Sequence, residues 1–132
     1  MIILLIEIII AYILSVMLHE IAHSETAHCL GDNTARRMRR SSLNPFKHFR
    51  LSGPRDVPIK LHTDKQYIIV GLAGVVANIV LVLISLFLIS VRYFTFLEIM
   101  IWMNTFLIVV NIIPVRCLKN DGYMVYKHLI HK

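Results

Sequence analysis

Residues 2–23 read IILLIEIIIAYILSVMLHEIAH, an apolar run that ends on three ionisable side chains. Between Ile2 and Leu18 only Glu7 is charged. With His19 to Ala22 added, the run reaches the roughly 20 residues that a helix needs to cross a bilayer. Its last five residues are His19-Glu20-Ile21-Ala22-His23. Side chains at i and i+4 of a helix share a face, one turn apart. Two imidazoles so placed suit one Zn²⁺, and the glutamate beside them suits a general base acting on water at the metal. Ionisable groups within lipid are costly and mark function. His19 and His23 are therefore read as ligands of one zinc ion per chain, and Glu20 as the catalytic base.

The rest of the chain carries the same apolar excess. Its 132 residues suffice for one domain, and 57% are apolar against about 45–50% in soluble domains. Tyr67 to Val91 holds no charge over 25 residues, and Ile99 to Val115 none over 17. The expectation is an α-helical integral membrane protein, a single unit over 1–132 with spans at about 2–22, 67–92 and 96–115. The first run lacks a basic flank and a small-residue cleavage site, so it is read as a retained span and not a signal peptide. Two cysteines, Cys29 and Cys117, make no disulfide framework. Cys29 is expected to fill apolar space.

Between the first two spans, residues 24–66 carry nine Lys or Arg against four acids. Basic loops stay on the cytosolic side. This puts the N-terminus outside, with the loop and the C-terminal tail in the cytosol, in a cytoplasmic membrane of bacterial type. The loop holds no nucleic-acid motif, so its charge is assigned to topology and to anionic headgroups. Gly31-Asp32 and Asn44-Pro45 read as turns. Ser41–Leu43 and Val57–Leu61 read as short extended segments, the second confined to a sheet edge by Pro58. Residues 121–131 read as a short interfacial helix.

Two histidines leave a catalytic zinc one protein ligand short. Asp121, the one acid after the third span, precedes Gly122 in a turn-forming pair that can aim its carboxylate back at the metal. His28, His48 and His62 are the alternatives in the loop. On the second span Gly71, Gly74 and Asn78 share a face. The glycines are read as helix packing, and Asn78 needs a hydrogen-bond partner in mid-membrane. On the third span Pro114 frees carbonyls that protein or a wet cavity must satisfy, and Asn111 lies one turn before it. Asn104 is read as a packing contact.

HEIAH (19–23), GLAGVVAN (71–78) and NIIPVRCLKNDG (111–122), in this order on three spans, resemble the site-2 protease family of intramembrane zinc metalloproteases. GDNTARRMRRSSLNPFKH (31–48) and VPIKL (57–61) resemble that family's loop segments, and the likeness covers most of residues 12–126. It implies that His19, His23 and Asp121 bind zinc, that Glu20 is the base, and that Asn78 and Asn111 hold the substrate backbone or the oxyanion. Two departures stand out. Val75 replaces the proline that usually follows Gly74, and Asp121 falls seven residues after Pro114 where five is usual. A two-residue bulge restores Asp121; otherwise Cys117 is an available soft ligand.

The expected activity is hydrolysis of a peptide bond in or near a membrane span of another protein. Its substrate would be a single-span membrane protein, unwound locally and paired with the Val57–Leu61 edge. Three spans make a thin wall, which leaves room for a second copy or a regulatory membrane partner. The competing reading is a zinc-binding membrane protein of the same fold that acts through partner helices and does not cut. A metal transporter would spread ionisable groups along the spans, whereas here they gather at one end.

Overall fold

The computed structural model describes residues 1–32, 61–116 and 120–130. Among these the chain is all helix: α1 (Ile2–Cys29), α2 (Asp64–Val91), α3 (Thr95–Ile112) and α4 (Asp121–Ile130). The first three are long and apolar enough to cross a membrane. The extended segments expected at 41–43 and 57–61, the turn at Asn44-Pro45, and His48 lie outside the described residues, as does Cys117.

α1 runs past the expected end of its span to Cys29. Nothing in Ser24–Cys29 breaks a helix, and the stop comes at Gly31, whose φ of +96° only glycine adopts easily. Gly31 N–H donates to His28 O and Asp32 N–H to Ala27 O, the paired bonds of a Schellman cap. The turn expected at Gly31-Asp32 is thus the end of α1. Cys29 is exposed there, and does not fill the interior as expected. α2 starts three residues before its expected span because Thr63 and Gln66 form a capping box: Thr63 Oγ1 accepts from Gln66 N–H, and Gln66 Oε1 accepts from Thr63 N–H. α3 ends at Ile112, two residues before Pro114, as proline requires.

α2 is the central element and touches the other three helices. The pattern of burial inverts that of a soluble bundle. Ser15, Asn78 and Asn104 are fully buried or nearly so, while Phe87 and Trp102 are 69% and 70% exposed. Such a surface fits lipid, where helices associate through small residues and interhelical hydrogen bonds. One such bond joins α3 to α1: Asn104 Nδ2 donates to Ser15 Oγ at 2.9 Å and to Met100 O at 2.8 Å. Asn104 is therefore the packing contact the sequence suggested.

α4 folds back onto α2. Val125 and Met124 lie against Gly71. Further along, His128 Nδ1–H donates to Asp64 Oδ1 at 2.8 Å, with the His128 ring stacked 4.3 Å from that of Tyr67. These contacts hold α4 on α2, and from its first turn the Asp121 side chain reaches the histidines of α1.

Candidate metal centre

His19 and His23 project from α1 towards α2, and Asp121 enters from the first turn of α4. Their ligand atoms all lie within 4.8 Å of one another, and among the described residues no other such cluster of His, Cys, Asp and Glu forms. The two Nε2 atoms are 3.1 Å apart. Asp121 straddles them, with Oδ2 3.0 Å from His19 Nε2 and Oδ1 3.2 Å from His23 Nε2. His19 is only 7% exposed.

Three observations test whether a metal fits. Donors around a tetrahedral zinc, each about 2.0–2.1 Å from it, stand about 3.3 Å apart, close to the separations here. Asp121 Oδ2 is buried and makes no properly directed hydrogen bond, although His19 Nε2 is near. Finally, a Cβ on Gly74 would run into His23 Nε2 and the His19 ring, so α2 leaves this space open by having no side chain there. The donor set, two imidazoles and a carboxylate, is one that zinc takes in catalytic sites.

The far nitrogens of both rings are also held. His23 Nδ1–H donates to Val70 O at 2.6 Å, so in the neutral ring Nε2 is the free lone pair. His19 Nδ1 stands 3.2 Å from the Asn78 amide nitrogen, and Asn78 Oδ1 is buried with no partner. A half-turn of that amide presents Oδ1 to Nδ1–H, the tautomer that frees His19 Nε2 for a metal. Burial pushes the Asp121 carboxyl up, but its polar contacts with His19 and His23 and their charge outweigh burial and bring it down to about 2.

The remaining sequence candidates divide. Glu20 follows His19 on α1 and is partly exposed. Asn78 is 0% exposed, packed behind His19. Asn111 is partly buried and donates to Leu107 O at 3.0 Å within its own helix. His28 is partly buried on α1 and His62 is exposed before α2; neither joins the cluster. Gly74 does pack two helices together as expected, but what it packs against is the histidine pair. Sequence reading missed Asn120, which caps α4 directly before Asp121. Its signal was present: asparagine is a favoured N-cap, and it stands directly before the helix.

No family model matches the chain. No solved structure matches it either. Among curated proteins it is similar to the "Putative zinc metalloprotease YwhC" of Bacillus subtilis (strain 168), with 28% identity over 151 aligned positions that cover 92% of this chain and 68% of that protein.

Proposed function

We propose that this chain is an intramembrane zinc metalloprotease that hydrolyses a peptide bond in or near a transmembrane segment of a substrate protein. The observation that carries the reading is the meeting of His19, His23 and Asp121 on helices whose outer faces suit lipid. The similarity to a protein named as a zinc metalloprotease supports it from a separate direction.

His19, His23 and Asp121 hold the metal. When bound, zinc polarises the scissile carbonyl and lowers the pKa of water towards neutrality. Glu20 takes the proton from the attacking water and passes it to the leaving nitrogen. Val70 O and Asn78 fix the two rings, so that each offers Nε2 inwards. Asn78 is fully buried behind His19 and serves that ring, which leaves Asn111 to hold the substrate backbone or the oxyanion. The substrate helix must unwind before its carbonyl is reachable, because in a helix that carbonyl accepts its own backbone hydrogen bond. The basic loop and the C-terminus face the cytosol in this reading, by the distribution of Lys and Arg. The test is incubation of the purified chain with single-span membrane proteins in detergent or liposomes, with and without a zinc chelator. The reading expects cleavage that stops with the chelator and returns with added zinc.

A further inference from the structure

Asp121 sits on a short helix of its own, joined to α3 by a connection that contains Pro114, and its carboxylate must still arrive at the depth of His19 and His23. One side chain governs that approach. Asn120 Nδ2 donates to Val110 O at 2.6 Å and to Ile113 O at 2.5 Å, both at the end of α3. Its Oδ1 accepts from Val115 N–H at 3.1 Å and from Tyr123 N–H at 3.2 Å. Its backbone carbonyl accepts from Met124 N–H at 3.0 Å. An amide side chain has two donor hydrogens and an oxygen with two lone pairs, so Asn120 uses its full capacity.

Each bond repairs a specific deficit. In a continuing helix Val110 O would accept from residue 114, but residue 114 is proline and has no N–H. Asn120 supplies the missing donor. At the other end, the first N–H groups of α4 have no partner within their helix, and Asn120 takes that of Tyr123 as an N-cap. One residue thus binds the last turn of α3 to the first turn of α4, and the next residue is Asp121. Gly122 lets the two approach this closely, since a Cβ there would collide with Ile112 O and Asn111 O.

We infer that Asn120 is the positioning residue of the metal centre, fixing the Asp121 carboxylate against His19 and His23 by joining the end of α3 to the start of α4. The inference rests on the reading of Asp121 as a metal ligand. It is tested on the full chain in detergent micelles with Co²⁺ as the probe, by following affinity and the visible absorption that reports the coordination sphere. Asn120→Ala removes both halves of the clamp. Asn120→Ser keeps an N-cap but is too short to reach Val110 O and Ile113 O. Both variants are expected to keep their far-ultraviolet helicity, to weaken Co²⁺ binding about tenfold or more, and to change the spectrum at saturation. Should Asn120→Ala fail to fold, Asn120→Ser decides alone. Wild-type affinity in Asn120→Ser, or weaker binding with an unaltered saturated spectrum, overturns the inference. Asp121→Ala separates the two levels. Loss of metal in Asp121→Ala beside wild-type behaviour in Asn120→Ser defeats only the role of Asn120. Wild-type metal binding in Asp121→Ala defeats the reading of the centre, and the role of Asn120 with it.

Discussion

Asp121 Oδ2 lies 3.0 Å from His19 Nε2, although the two residues come from opposite ends of the chain. The contact is only possible because α4 turns back along α2 and because Gly74 leaves room between the helices. On the proposed reading Asp121 is the third ligand, and a prediction follows from that. Asp121→Ala should lower zinc affinity by more than the roughly 10–100-fold typical of outer-shell changes. Cys117→Ala should leave it unchanged. Metal analysis after dialysis against a graded chelator series reads both, and the reverse pattern would make Cys117 the ligand.

The glycines of α2 give a paired prediction. A Cβ at position 74 falls on His23 Nε2 and the His19 ring, so Gly74→Ala should displace the rings and abolish metal binding. A Cβ at position 71 meets Val125 Cγ2 at 2.9 Å, on a stiff β-branched side chain, and Met124 Cε at 3.0 Å, at the end of a flexible one. Gly71→Ala touches neither ring and should therefore weaken zinc binding far less than Gly74→Ala. Alanine also favours the helix by about 1 kcal/mol over glycine, so neither variant should lose helicity. Zinc content and circular dichroism on the same samples separate the two outcomes.

Acid should release the metal through the histidines. Asp121 is held at about 2, so it stays ionised and able to ligate throughout the range from pH 7 to pH 4. A carboxyl lowered in this way loses its contribution only as pH falls towards that value. Each ring must be neutral to ligate, so protons compete with the metal at both histidines. Zinc affinity should fall as the pH is lowered, by up to about 100-fold per pH unit where both rings are protonated in the metal-free protein, two protons competing with one metal. A titration whose affinity instead holds down to pH 4 would exclude a two-histidine site.

Asn104 and Ser15 provide a stability test independent of the metal. Their 2.9 Å bond links α3 to α1 in a fully buried setting. Interhelical hydrogen bonds of this kind average about 0.6 kcal/mol and reach about 1.7 kcal/mol. A double-mutant cycle with Ser15→Ala and Asn104→Ala, followed by reversible unfolding in mixed micelles, should give a coupling within that range. A coupling of zero would mean that Asn104 is held by its bond to Met100 O alone.

The parts of this molecule that were legible in the sequence are those fixed by local rules. His19 and His23 follow from helical spacing, the three helices from apolar length, and the end of α3 from Pro114. Asp121 was legible as a chemical candidate, because it is the one acid after the third span. Its position was not, because two residues more than the usual spacing separate it from Pro114. The four side-chain bonds of Asn120 join the end of α3 to the start of α4 across that longer connection, and hydrogen bonds to Val110 O and Ile113 O cannot be inferred from a string. The role of Gly74 depends on the rotation of α2 about its axis relative to α1, which periodicity alone leaves open between lipid, helix and site. The extension of α1 to Cys29 was readable in hindsight, since no residue before Gly31 opposes helix.

The most direct test of the proposed activity is made on Glu20→Gln, because it separates holding the metal from using it. The variant and the wild type are purified alike, assayed for zinc, and incubated with the same single-span substrate. The account predicts one zinc per chain in both and cleavage by the wild type alone. Cleavage by Glu20→Gln at the wild-type rate, with zinc in place, would contradict it.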